Sequence, residues 1–253
     1  MDQLNYVLLF IAGIAGGAIN AIAGGATLFT FPAMVFAGLS PIVANASSAV
    51  ALTPGHLIAV IAERKHLPAT THSLWISIVI AVLGGAAGAY LLFVTSERVF
   101  ARIVPVLIGL ATLIFAFGKP LQHRLRGNAP PIDNAHTRTA LILPVSIYGG
   151  YFGAGMGVVH LAAFSITSNW QPRTANAMKN LMGICANWSA IVVFLWTGLV
   201  HWPTTLPMLV GACMGGWLGS KLLAHVPSHI IRFIVIMMGT LMTVIYIWKY
   251  WLQ

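Results

Sequence analysis

Acidic residues are what this chain has least of: four Asp and Glu in 253 residues, against thirteen Lys and Arg. Charges of both signs make up only 7% of the chain, hydrophobic residues 58%, and the mean hydropathy is +0.88. So few charges cannot keep the surface of a soluble domain this long wet, so lipid has to cover it. Asp2, Glu63, Glu97 and Asp133 all fall at the terminus or in turns, which leaves the apolar runs without a carboxylate. Symporters commonly carry coupling ions on Asp or Glu, and that route is closed inside these runs. Proton coupling would fall to His56, His160 or His201, or to the substrate's own protonation.

Cysteine is almost as scarce. Cys185 and Cys213 both sit inside apolar runs with no metal-ligand spacing around them, so they read as packing residues, and no metal or cofactor is expected. No Lys or Arg precedes the first apolar stretch, which therefore lacks the basic start of a signal peptide and reads as part of the mature chain. The net charge of +9 does not point to nucleic acid, because the basic residues sit in short loops rather than on one face. Nothing in the sequence decides whether the chain forms a homo-oligomer.

What is present is a duplication at a constant offset of 131 residues. Gly24 recurs as Gly155, Pro41 as Pro172, Ala44-Asn45 as Ala175-Asn176, and Gly84-Gly85-x-x-Gly88 as Gly215-Gly216-x-x-Gly219. Duplication in an apolar chain points to a secondary transporter whose site lies where the halves meet. Apolar segments cover 4–23, 26–38, 41–62, 73–95 and 99–118, then 139–155, 157–168, 172–197, 203–224 and 230–250. Those at 26–38 and 157–168 fall short of the roughly 20 residues that cross about 30 Å of hydrocarbon. The expected fold is therefore an all-α membrane protein of two repeats, 1–118 and 139–253, joined by a polar linker over 119–138. Each repeat opens with a glycine-broken, re-entrant short-helix hairpin (4–38 and 139–168) and continues with three transmembrane helices.

The charges choose between two topologies. If each hairpin enters and leaves on one side, the repeats are inverted. Arg64, Lys65, Lys119, Arg124, Arg126, Arg138, Arg173, Lys221 and Arg232 then lie inside, and Arg98, Arg102 and Lys249 outside. A parallel arrangement gives a weaker bias, so the positive-inside rule favours inversion, a cytoplasmic linker and both termini on the outer face.

Backbone broken in a membrane must be buried in protein or line a cavity. The breaks fall at Gly24-Gly25-Ala26-Thr27 and Gly153-x-Gly155-Met156-Gly157. Each frees N–H groups at the positive end of the next half-helix, an anion site in outline. The two Gly-x-x-x-Gly pairs, Gly84/Gly88 and Gly215/Gly219, read instead as helix-packing residues. Past each hairpin come Asn45-Ala46-Ser47-Ser48 and Asn176-Ala177-Met178-Lys179-Asn180. Lys179 lies about 11 Å into its helix. A buried ammonium is expensive, so it is a functional candidate, and without an internal acid it calls for an anion from elsewhere.

At these residues the chain resembles the TauE/SafE sulfite-exporter family, the TSUP transporters. The resemblance rests on Gly13-x-x-Gly16-Gly17-x-x-Asn20-Ala21-x-Ala23-Gly24-Gly25-Ala26-Thr27, on Gly38-Leu39-Ser40-Pro41 with Ala44-Asn45-Ala46-Ser47, and on Gly149-Gly150-x-Phe152-Gly153-x-Gly155-x-Gly157. It implies a multi-pass protein of a bacterial-type inner membrane that moves a small sulfur-containing or organic anion, of sulfite or sulfonate type. Many relatives have Asp at the position of Asn20, which places Asn20 beside His56 and His160 as positions to examine for ion coupling. Two other readings remain at this stage. A passive anion channel would share the same residues. An intramembrane enzyme would need Ser47 or Ser48 with His56, but Ser48 and His56 are about 12 Å apart along one helix and no acid partner is placed.

Overall fold

A computed structural model describes residues 3–22, 25–69, 71–126, 134–222 and 228–252. Among them the regular structure is helical: α1 (Gln3–Ile22), α2 (Thr27–Phe36), α3 (Pro41–Glu63), α4 (His72–Val94), α5 (Glu97–Arg126), α6 (Ala135–Tyr151), α7 (Met156–Thr167), α8 (Pro172–Trp196), α9 (Trp202–Leu222) and α10 (Ser228–Ile247). A 3-10 turn (Arg64–His66) follows α3, and a π-helical turn (Trp248–Leu252) continues α10. Among the described residues five stretches are long and apolar enough to cross a membrane: Gln3–Asn20, His72–Val94, Glu97–Gly118, Pro172–Trp196 and Arg232–Leu252. The outward-facing side chains include Leu4, Phe36 and Trp196, each at least 75% exposed, a surface that lipid and not water would cover.

The helix ends follow local rules. Pro41 and Pro172 sit in the first turns of α3 and α8, where a missing N–H costs nothing. Thr71 caps α4 by accepting from the Leu74 N–H (3.4 Å), and Asn134 caps α6 by accepting from that of Thr137 (3.1 Å). Glu97, at the start of α5, crosses to the start of α3, where it accepts from Ser40 Oγ (2.6 Å) and the Ile42 N–H (3.3 Å). A carboxylate on a helix N-terminus is favoured by the dipole, which gives this rare acid a local role. The polar stretch expected as linker over 119–138 is partly helical: α5 runs on through Arg126 and α6 begins at Ala135. Leu121 to Arg126 contains only tolerant helix residues, and Pro120 removes a single backbone donor.

The packing pairs helices across the halves. The opening helix α1 lies on α9, and its repeat mate α6 lies on α4. Both contacts are parallel: Gly13 meets Met208 and Gly17 meets Ala212, while Gly84 meets Ser146 and Gly88 meets Tyr151. Two other helix pairs, α5 with α10 and α3 with α8, run antiparallel. Along α5 and α10, Arg232 bonds the Phe115 carbonyl and Trp251 Nε1 bonds that of Arg102 (2.9 Å). Along α3 and α8, Asn187 Nδ2 donates to Thr53 Oγ1 (3.2 Å), while Glu63, further along α3, acts on Lys179, earlier along α8.

These helices approach as closely as backbone allows. A Cβ on Gly88 would fall on the Ile147 carbonyl oxygen, and one on Gly215 on that of Ile14. Gly88→Ala is therefore not the mild change that a generic packing glycine suggests, because the neighbour is backbone and cannot rotate away.

Candidate functional site

A cavity of about 260 Å³ lies between the two halves, walled by α1, α2, α3 and α5 on one side and α6, α7, α8 and α10 on the other. Such a volume holds several waters or a small organic ion. Its polar lining consists mainly of five asparagines (Asn20, Asn45, Asn176, Asn180 and Asn187) with Thr27, His56, Lys179 and Arg232, and among the described residues it includes no carboxylate. Phe115, Phe152, Phe194, Leu52 and Leu161 close the apolar part.

Lys179 enters this space from the first third of α8. Its aliphatic stem crosses the start of α7, where a Cβ on Gly157 would lie only 3.3 Å from Lys179 Cδ. Among the described residues its ammonium has no hydrogen-bond or ion-pair partner; Glu63 acts on it through its field alone. The sequence expectation that no acid serves Lys179 is thus corrected in part: the end of α3 brings one carboxylate's field to it. Arg232 faces the cavity from α10. Its Nε and Nη2 donate to the carbonyls of Phe115 and Ala116, both at 2.7 Å. Pro120 explains one of these acceptors, because it lacks the N–H that would otherwise bond Ala116 four residues back.

The second break is a wall of the cavity. Gly153 (φ 82°) and Gly155 (φ 79°) take left-handed backbone conformations that favour glycine, and this reverses the chain between α6 and α7. Met156 N–H bonds the Gly153 carbonyl, and those of Val158 and Val159 bond that of Gly155. Gly157, between them in the first turn and lining the cavity, is the donor outside that set. Tyr148 Oη donates to the Ala154 carbonyl (2.5 Å) and ties the loop down.

Of the residues singled out from sequence, Thr27, Asn45, Gly153, Met156, Gly157, Asn176, Lys179 and Asn180 line the cavity, as do Asn20 and His56. Gly25, Ala26, Ser47, Ser48, Gly155 and His160 are not among its walls. A Cβ on Gly25 would sit 2.9 Å from Phe115 Cζ, so Gly25 packs against that ring, and of this break Thr27 reaches the cavity. Ser47 Oγ accepts the His201 N–H (3.0 Å), and Ser48 Oγ bonds Thr30 Oγ1 (2.5 Å), so both hydroxyls serve packing. Gly24 lies outside the described residues. Sequence reasoning missed Arg232, which it counted only among the charges that set the topology, and it did not place Asn187 in the site.

A family model described as "Sulfite exporter TauE/SafE" matches residues 9–246. The chain is 29% identical over 244 residues to the probable membrane transporter protein YfcA of Escherichia coli (strain K12), covering 94% of this chain and 87% of that protein. It is 26% identical over 243 residues to a probable membrane transporter protein of Haemophilus influenzae, with 93% and 92% covered. With the probable membrane transporter protein YunE of Bacillus subtilis it shares 23% over 263 residues, covering 93% and 96%. No solved structure matches the chain. With a match across nearly its whole length and helices apolar enough to cross a bilayer, the chain belongs to the sulfite exporter TauE/SafE family of membrane transporters.

Proposed function

We propose that this chain is a secondary carrier for a small sulfur-containing or organic anion, alternating access between two inverted repeats around the central cavity. The observation that carries this reading is a cavity between the halves whose lining, among the described residues, holds two cations, Lys179 and Arg232, and no carboxylate. The Gly157 N–H at the start of α7 and the free amides of Asn176 and Asn180 supply donors that orient the anion. Inversion is supported by the antiparallel courses of α3 against α8 and α5 against α10. Parallel repeats would make both pairs parallel.

Purified protein in proteoliposomes should give saturable counterflow with at least one of sulfite, sulfate, thiosulfate or an alkanesulfonate. Flux without saturation or counterflow would identify a channel instead. The topology is tested separately. With Cys185 and Cys213 replaced by serine, single cysteines at Asn134 and Leu252 should label from opposite faces of the inner membrane, Asn134 from the cytoplasm. Labelling from the same face rules out the inverted arrangement.

A further inference from the structure

We propose that His160 binds the proton that this carrier moves together with its anion, and that Lys179 couples the two. The inference rests on the carrier reading above. His160, on α7, is fully buried, and neither Nδ1 nor Nε2 has a hydrogen-bond partner among the described residues. Its ring stacks on Phe164 at 5.7 Å with planes 20° apart, which fixes its orientation and leaves both nitrogens unused. A buried histidine with a purely structural role is expected to bond at least one nitrogen, since two orphaned polar atoms each cost free energy.

The surroundings give the orphaned ring a use. His160 follows Gly157 by about one helical turn, and Gly157 is where the Lys179 stem crosses α7. Gly157 and Leu161, on either side of His160 in the sequence, both line the cavity, so the ring lies one layer behind its wall. Three helices besides its own pack on or beside it: α5, α6 and α8. From α8, the Lys179 ammonium acts on the ring, and α6 brings Arg138, whose guanidinium donates to the Thr167 carbonyl at the far end of α7 (3.3 Å). His56, across the cavity on α3, feels the same ammonium.

In the empty carrier the charge of the Lys179 ammonium opposes a second positive charge on His160. An anion seated at Lys179 offsets that charge and makes protonation favourable. The coupling is reciprocal: a proton on His160 raises the affinity for the anion by the same factor. The proton leaves water on the loading side and forms an N–H bond at the free ring nitrogen. On the other side the anion departs, that N–H breaks, and the proton returns to water. A monoanion then crosses with one proton and no net charge.

The test uses the full chain in proteoliposomes with the membrane potential held at zero. The probes are labelled thiosulfate and labelled ethanesulfonate, both fully ionised from about pH 5 to about pH 8, so a response to pH belongs to the protein. With one proton per anion, an inward proton gradient of one pH unit should concentrate the probe about tenfold. His160→Gln, which hydrogen-bonds but does not titrate in this range, should lose the accumulation, and the counterflow it retains should no longer depend on pH; His160→Asn is a second neutral replacement read in the same way. Tenfold accumulation by either variant overturns the proposal, as does wild-type protein that shows counterflow but only equilibrates the probe. Wild-type protein without counterflow of either probe contradicts the carrier reading itself, and the coupling falls with it.

Discussion

Lys179→Gln is expected to weaken apparent anion affinity by roughly tenfold or more while the protein still folds and reaches the membrane. The ammonium faces the cavity with no partner of its own among the described residues, so no ion pair is broken when the charge is removed. Glutamine keeps much of the stem that packs across Gly157. At a separation of 4 Å, one unit charge on an anion is worth on the order of 1 kcal/mol in bulk water and 4 kcal/mol in a partly dry site. Since 1.4 kcal/mol is a factor of ten, even the wet limit leaves a measurable effect. Arg232 keeps half of the cationic pair, so transport should weaken and not vanish. Lys179→Arg should not restore the wild type, because a planar fork cannot take the place of a compact ammonium over a glycine backbone. Concentration curves for uptake by the wild type and both variants decide it. Unchanged affinity and rate in the glutamine variant would move the anion site away from Lys179 and leave it to Arg232 and the Gly157 N–H.

Lys179 was legible because it breaks a rule: a lysine about two turns into an apolar, acid-free helix is costly, and the sequence leaves it either snorkelling to the interface or serving a function. The helical hairpins were legible for a similar reason, since glycines cluster just before segments too short to cross. Arg232 was not. A lone arginine one turn into the last helix looks like every other loop charge that orients a membrane protein. Only the folded chain brings it to the carbonyls of Phe115 and Ala116, more than a hundred residues away. Ser47 and Ser48 misled in the opposite direction. Their place opposite Met178 and Lys179 in the repeat suggested a shared site, yet their hydroxyls go to His201 and Thr30. A duplication preserves backbone geometry more faithfully than side-chain chemistry, so repeat mates share a position without sharing a role.

The repeat mates Gly85 and Gly216 lead to the second large expected effect, and it is asymmetric. A Cβ on Gly85 would fall on the Ala186 carbonyl oxygen of α8, whereas one on Gly216 would meet nothing nearer than the Gly17 carbonyl oxygen at 3.9 Å. Gly85→Ala therefore forces α4 and α8 apart at backbone contact, an overpacking cost of roughly 1–3 kcal/mol. For a chain of this length that is a drop of roughly 2–12 °C in Tm. Gly216→Ala has room, and alanine is the better helix former by about 1 kcal/mol, so its Tm should hold or rise. Alternating access adds a kinetic consequence. If the two repeats exchange conformations, the loose surface of α9 at Gly216 closes as the tight one of α4 at Gly85 opens. A methyl group harmless in the present state then obstructs the other. Gly216→Ala should accordingly combine an undiminished Tm with slowed counterflow, and Gly85→Ala should lower both the Tm and the abundance of folded protein. Full-speed counterflow in a stable Gly216→Ala protein would mean that these two interfaces do not exchange, and the rocking motion would have to use other helix contacts.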